Sequence, residues 1–209
     1  MIGYIQILEH RNEGMNLFIG EQVGRMKDAG IHTLIVKGQG VAQCYGKPLR
    51  RSSGDIDFYL DRANFDKARQ YFRELVECPD LDNGLSGHIA LDYKGWAIEL
   101  HDSQHTGLSR RVDKVLDEIH DELFVHGGVR VWKNGEEDIY LPSPDNDVVI
   151  VFTHFLKHFY KGGQDLRQIC DWCRLLWTFR EEQKDHSYSK RSGGFLLVYL
   201  CSSTTAKRR

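Results

Sequence analysis

The segment from Arg51 to Leu60, RSSGDIDFYL, constrains the fold of this chain more than any other. In it Asp55 and Asp57 alternate with apolar residues and lead into a further apolar stretch, a pattern that predicts a β-strand. Because positions i and i+2 of a strand point the same way, the two carboxylates are expected side by side. Like charges so close repel each other unless a proton or cation lies between them. The pattern predicts either a site for a hard divalent cation such as Mg2+ or, because the motif is short, a surface strand with an acidic outer face.

Length and charge limit the classes of protein to which the chain can belong. Its 209 residues suffice for one domain or two small lobes. With 28 Lys and Arg against 30 Asp and Glu, nothing points to bulk affinity for nucleic acid or a membrane surface. The N-terminus becomes charged too soon for a signal peptide, and no apolar run is long enough to span a bilayer. Five scattered cysteines argue against a disulfide framework, so we expect a cytoplasmic protein.

The first third of the chain predicts a helix, a strand and a glycine-bearing turn. The helix runs from about Leu8 to Ala29 and is followed by a strand over residues 32–36, buried on both faces. Lys37-Gly38-Gln39-Gly40 comes next, before a short helix. A turn of this kind presents backbone N–H groups at a positive helix end and suits a phosphate, although glycines also simply make turns.

The rest of the chain predicts an α+β fold. Asn64 is the expected cap of a helix, after which residues 78–84 form a loop. Residues 88–93 and 96–101 form a hairpin that turns at Lys94-Gly95. A helix follows over about 110–123, then short strands over 124–132 and 138–141, then helices from about 146 to 179. In the last helix Cys170 and Cys173 are expected to be buried rather than to bind a metal.

The change of character at Pro142-Ser143-Pro144 predicts the lobe boundary. Residues 1–143 would form an α/β lobe and residues 144–182 a helical lobe. Residues 183–209 would form an irregular tail, either a last strand or a poorly ordered end.

Several short pieces of the sequence, in their order and spacing, carry a family resemblance. They are Val36-Lys37-Gly38, Arg51 ahead of Asp55-Ile56-Asp57-Phe58, Ile98-Glu99-Leu100-His101, His154-x-x-x-His158, and Asp171. Together, over residues 8–180, they resemble the uncharacterised nucleotidyltransferase family within the polymerase-beta-like superfamily. The resemblance implies a mixed sheet with flanking helices plus a C-terminal helical lobe.

By position, the resemblance makes Gly38 the phosphate-binding turn glycine, Asp55 and Asp57 the metal pair, and Glu99 the third acid. It implies two divalent ions, Mg2+ or Mn2+, and transfer of a nucleoside monophosphate from a triphosphate such as ATP to an acceptor hydroxyl, releasing pyrophosphate. The superfamily usually has Ser or Gly where this chain has Gln39, which would weaken the grip on the triphosphate. The spacing from Gly38 to Asp55 is also longer than usual.

The residues around these acids have alternative roles. Lys37 and Arg51 would offset charge on the phosphates, or Lys37 would snorkel to solvent and Arg51 pair with an aspartate. Glu99 would hold a metal or accept the acceptor proton, or be a solvated residue of the hairpin. His101 is a candidate to contact the acceptor or support the site.

Four residues of the predicted helical lobe are further candidates: His154, Lys157, His158 and Asp171. The two histidines and Lys157 lie on one helical turn, where Lys157 would meet a phosphate. The histidines and Asp171 would contact the acceptor or support the site; packing, or zinc bound by the histidine pair, is the alternative.

Two classes of function stay open after this reading of the residues. One is an active metal-dependent transferase; the other is a catalytically inactive nucleotide-binding or regulatory protein on the same scaffold. A nuclease or phosphohydrolase is less favoured, because no further His/Asp cluster accompanies the acids. The near-neutral charge favours a small-molecule or protein acceptor over a long nucleic acid.

Overall fold

The computed structural model describes residues 2–82, 87–162 and 166–180. Its elements are α1 (Ile2–Asp28), β1 (Leu34–Val36), α2 (Gly38–Ala42), a 3-10 turn (Pro48–Arg50), β2 (Ile56–Tyr59), α3 (Arg62–Arg73), α4 (Pro79–Asp82), β3 (His88–Tyr93), β4 (Trp96–His101), α5 (Arg110–Phe124), β5 (Val129–Asn134), β6 (Glu137–Pro142), α6 (Pro144–Lys161) and α7 (Leu166–Thr178). The chain divides into two compact units. Unit 1 is Met1–Gln104 with Val129–Pro142, and unit 2 is His105–Gly128 with Ser143–Arg209. The predicted lobes therefore stay a prediction, and their tail lies outside the described residues.

Unit 1 is built on a four-stranded sheet in the order β1-β2-β4-β3. β2 pairs with β4 in parallel, whereas β1 with β2 and β3 with β4 are antiparallel, so the sheet is mixed. β5 and β6 form a separate antiparallel hairpin. The predicted α+β class is confirmed.

The alternation along the strands directs one set of apolar residues to the core and the acids to the other face. Ile56, Phe58, Ile98 and Leu100 belong to one core cluster with apolar residues of α1 and α3. Because successive side chains of a strand point to opposite faces, Asp57 and the alternate residues of β4 turn to the other side. The core-facing residues thus fix the direction in which the acids project.

The β3–β4 hairpin has the predicted strand bounds and the predicted turn. Lys94 and Gly95 have positive φ angles of 52° and 81°. Positive φ at both turn positions is the geometry that matches the right-handed twist of a two-residue hairpin. The alternation and the turn residues were sufficient to predict this element.

Several local predictions were wrong. Asp61 caps α3, accepting a hydrogen bond from the backbone N–H of Asn64, whose own side-chain oxygen accepts from His32. Part of the predicted loop after Cys78 is the short helix α4. Phe124 ends α5 rather than beginning a strand.

Unit 2 contains the helices α5, α6 and α7. α6 begins with Pro144 in its first turn and ends at Lys161; the next residue, Gly162, caps it with a φ of 106° that suits a residue without Cβ. Cys170 and Cys173 on α7 are exposed, so the prediction that they are buried was wrong. Among the described helices, none has the length and apolar character needed to cross a bilayer.

Candidate active site

The centre of the candidate site is Asp57, in the middle of the sheet. Its strand neighbours in the register are Val36 of β1 and Glu99 of β4. Because Asp57 and Glu99 are partners on adjacent parallel strands, their side chains leave the same face of the sheet. Asp57 is buried, with 3% of its surface exposed. A carboxylate buried to this degree needs partners of opposite charge or hydrogen-bond donors.

Lys37 is the first of these partners. It lies between β1 and α2 with a φ of 55°, a left-handed conformation that a residue with a side chain rarely adopts. From there its Nζ reaches to 2.5 Å from Asp57 Oδ1. The strained backbone at the end of β1 thus delivers an ammonium group directly to the buried acid.

His101 is the second partner, and it also binds Glu99. Its Nε2 lies 2.9 Å from Asp57 Oδ1 and 3.1 Å from Glu99 Oε2. Burial by itself disfavours the charged imidazole, but the hydrogen bonds to the two carboxylates outweigh it and raise the pKa of His101. One imidazole therefore links the acids of two neighbouring strands.

These partners lower the pKa values of Asp57 and Glu99, whereas the pKa of His101 is raised. Burial alone would raise the pKa of Asp57, but the Lys37 ammonium and the hydrogen bond from His101 lower it to about 2. Hydrogen bonds with His101 and His88 likewise hold the pKa of Glu99 well below its usual range. Both carboxylates are therefore ionised at neutral pH.

Asp55, immediately before β2, differs from the other two acids. Burial raises its pKa, and the negative charges of Asp57 and Glu99 raise it further, while Lys37 partly offsets them. Crowding of like charges is what a bound cation relieves. Three carboxylates are also the hard oxygen ligands that Mg2+ and Mn2+ prefer. The chemical character of these side chains therefore suits a divalent cation.

The predicted phosphate turn lies beside these acids. Gly38 has a φ of 35°, and a Cβ placed on it would be 3.3 Å from the backbone oxygen of Asp55. Gln39 does not face this turn: its side chain is buried, and its Nε2 donates to Asn12 Oδ1 at 3.0 Å. The side chain that departs from the superfamily pattern therefore attaches α2 to α1.

Helix α1 also holds the loop that leads into β2. Asn12 is fully buried, and its Nδ2 donates to the backbone oxygens of Leu49 and Arg51 at 2.8 and 2.7 Å. Arg51 is itself buried and donates to Ser53 Oγ at 2.7 Å. The predicted contact of Arg51 with a nucleotide stays a prediction.

The four candidates of the C-terminal helices belong to unit 2. The rings of His154 and His158 lie 4.5 Å apart on α6, which confirms that they share a face of the helix. Asp171 of α7 is buried. The roles predicted for these residues and for Lys157 stay predictions.

Sequence reasoning missed two residues of the site, His88 and Asn12. His88 was detectable, because counting back from the Lys94-Gly95 turn places it opposite His101 in the hairpin. Asn12 carries no signal in the sequence, since its contacts depend on how α1 packs against the loop. His88 contacts the third acid directly, and Asn12 holds the loop that leads into β2.

The mixed sheet and the acids paired across its strands define a class, that of proteins with a carboxylate site on a nucleotidyltransferase-like core. The profile of the uncharacterised nucleotidyltransferase family matches residues 6–192, and the chain belongs to that family. This membership confirms the resemblance found in the sequence.

Other comparisons add little to this assignment. None of the functionally curated proteins matches the sequence significantly. A solved structure, an antigenic nucleotidyltransferase-like protein from Paracoccidioides brasiliensis, is 14% identical with a TM-score of 0.45, over 77% of this chain and 74% of that one. The family assignment rests on the profile match.

Proposed function

We propose that this protein is a metal-dependent nucleotidyltransferase, which moves a nucleoside monophosphate from a nucleoside triphosphate to an acceptor hydroxyl. The observation that supports this most is the pairing of Asp57 with Glu99 across parallel strands, with Asp55 two residues away. Family membership supports nucleotidyl transfer in general. The three acids support the dependence on a metal.

In this proposal Asp55, Asp57 and Glu99 hold Mg2+ or Mn2+. The bound ions would neutralise charge on the triphosphate and lower the pKa of the attacking hydroxyl. The acceptor oxygen forms a bond to the α-phosphorus while the bond from that phosphorus to the bridging oxygen breaks. Pyrophosphate leaves with the electron pair, and Glu99 would either hold the metal on the acceptor side or accept the acceptor proton.

Lys37, Arg51 and His101 would supply positive charge in this reaction. Lys37 neutralises Asp57 while no triphosphate is bound, and its flexible side chain can turn to the phosphates when a metal takes its place. Arg51 would add positive charge near the triphosphate, with Gly38 allowing its close approach. His101 keeps Asp57 and Glu99 ionised and oriented. We propose a small molecule or a protein side chain as acceptor.

The alternative is a catalytically inactive nucleotide-binding or regulatory protein on the same scaffold. The ion pair between Lys37 and Asp57 favours it, because an ammonium that stayed in place would permanently occupy one carboxylate oxygen of the metal site. The two proposals differ in whether a divalent ion displaces Lys37 from Asp57.

Product analysis separates these functions. The protein is incubated with Mn2+ and each triphosphate labelled at the α-phosphate, with the metabolite and protein fractions of a cell extract as acceptors. Label transfer with pyrophosphate release, lost in Asp57→Asn and retained in the exposed control Asp92→Asn, supports the transferase. Free nucleotide as the product would overturn it in favour of a hydrolase. Nucleotide binding without turnover would overturn it in favour of the inactive protein.

A further inference from the structure

Beside Asp57, two imidazoles converge on one carboxylate. His88 Nε2 lies 3.3 Å from Glu99 Oε2, and His101 Nε2 lies 3.1 Å from the same oxygen. One ligand atom from each of the three residues lies within 4.8 Å of those of the other two. The two imidazole rings are 4.8 Å apart and tilted by 41°. Three potential metal ligands thus point to one small volume.

The hairpin register produces this convergence. His88 and His101 are directly opposite each other on β3 and β4, and Glu99 is two residues from His101 on the same face. The residue opposite Glu99 is Ala90, whose small side chain leaves the carboxylate accessible. His101 is buried beneath the site, whereas 49% of the His88 side chain is exposed. The cluster therefore has a buried side at His101 and an exposed side at His88.

The ligand chemistry of this cluster differs from that of the carboxylate site formed by Asp55, Asp57 and Glu99. Mg2+ binds oxygen and keeps several waters, so it has little preference for imidazole. Zn2+ and related transition metals bind imidazole nitrogen and carboxylate oxygen together. With metal–ligand bonds of about 2.0 to 2.1 Å, neighbouring ligands of a tetrahedral ion lie roughly 3.3 Å apart. The separations of 3.1 and 3.3 Å from Glu99 Oε2 match that geometry.

We propose that His88, Glu99 and His101 form a transition-metal site, selective for Zn2+-like ions over Mg2+ and open to a water or substrate at its exposed side. His101 would bind the metal through Nε2 in its neutral form, and the metal would replace the hydrogen bonds of that nitrogen to Asp57 and Glu99. Three protein ligands and an open position are the pattern of catalytic zinc sites rather than closed structural ones. Glu99 is common to this site and to the acids of the proposed function. A transition metal held here would therefore bind Glu99, the third acid of the carboxylate site.

The test uses Co2+ and Zn2+ alone, without nucleotide, so its outcome is independent of the proposed function. Co2+ replaces Zn2+ and reports its ligands through visible absorption. The chelator-stripped full-length protein is titrated with Co2+ by absorbance and with Zn2+ and Mg2+ by calorimetry. The variants are His88→Ala, His88→Cys and the control His10→Ala, which removes a histidine with 91% of its side chain exposed on α1.

We expect one Zn2+ to bind with a Kd of about 10 μM or tighter, and Mg2+ not to compete at equal concentration. His88→Ala should weaken Zn2+ binding by more than about 100-fold, since loss of a direct ligand costs at least as much as loss of a supporting residue. His88→Cys should retain binding and add sulfur-to-cobalt charge-transfer absorption in the ultraviolet, which a merely structural His88 cannot produce. His10→Ala should bind as the wild type does.

Two results would overturn the proposal. One is a folded wild type, checked by circular dichroism, that binds Zn2+ no more tightly than Mg2+. The other is unchanged Zn2+ affinity in a folded His88→Ala variant together with no charge-transfer band in His88→Cys. Either would mean that the imidazoles serve only as hydrogen-bond partners of the acids.

Discussion

Lys37 Nζ lies 2.5 Å from Asp57 Oδ1, so the buried acid at the centre of the sheet already has a cation of its own. The ammonium lies within the distance at which a metal ion bound to Asp57 would repel it strongly. A divalent ion and Lys37 should therefore compete for this carboxylate.

Removing the ammonium should strengthen metal binding by the nucleotide-free protein. We expect Lys37→Met to bind Mn2+ about tenfold more tightly than the wild type, equivalent to about 1.4 kcal/mol. Calorimetric titration of Mn2+ measures the change, with Lys27→Met, an exposed lysine of α1, as the matched control. Equal Mn2+ affinity in the wild type and Lys37→Met would contradict competition.

A side chain at Gly38 is expected to destabilise the folded protein. Its φ of 35° is unfavourable for any residue with a Cβ, and that Cβ would be 3.3 Å from the backbone oxygen of Asp55. We expect Gly38→Ala to lower the free energy of unfolding by about 1 to 2 kcal/mol, measured by urea denaturation. The control is Gly46→Ala, where a Cβ would meet nothing within 4 Å. Equal stability of the two variants would mean that the turn adapts without strain.

Asn12 should be the residue of α1 on which the loop before β2 depends most. Replacing it with Ala leaves the backbone oxygens of Leu49 and Arg51, the second of them in a buried hydrogen bond, without its amide donor, and Gln39 Nε2 without its acceptor. We expect a loss of about 2 to 3 kcal/mol in the free energy of unfolding, because unsatisfied buried polar groups are costly. Glu13→Ala, at an exposed position of the same helix, should change it by less than about 0.5 kcal/mol. A loss for Asn12→Ala no larger than that control would contradict the role of Asn12.

How far the sequence anticipates this structure depends on how local each feature is. The β3–β4 hairpin follows from alternation and the Lys94-Gly95 turn, which act between near neighbours. The cap of α3 was misassigned because Asp61 and Asn64 are both good capping residues three positions apart, and propensity cannot rank them. The orientation of Gln39 depends on Asn12, 27 residues away. The positive φ of Lys37 has no local signal in the sequence.

The stability of the metal-free protein should depend on the protonation of His101. Its pKa is raised in the folded protein above the ordinary value of 6.5. The stabilisation it provides is therefore complete below pH 6.5 and is lost as the pH rises through the higher folded-state value. In the presence of a chelator, the free energy of unfolding should fall over that window.

The contribution of His101 is isolated by comparison with His101→Gln. Urea denaturation of both proteins from about pH 5.5 to about pH 9 gives the difference in their free energies of unfolding. This difference should shrink as the pH rises, while the difference between the wild type and His10→Gln stays constant. A pH-independent difference for His101→Gln would mean that its proton does not stabilise the fold.

The most direct test of a nucleotide site at these acids is calorimetric titration of each nucleoside triphosphate, with Mg2+ or Mn2+, into the wild type and Asp57→Asn. This isosteric change keeps the shape of the buried side chain and removes its charge, and Asp92→Asn is the exposed control. The proposal predicts metal-dependent triphosphate binding in the wild type and in Asp92→Asn, and its loss in folded Asp57→Asn. Absence of binding by the folded wild type, or equal binding by Asp57→Asn, would contradict a nucleotide site at these acids.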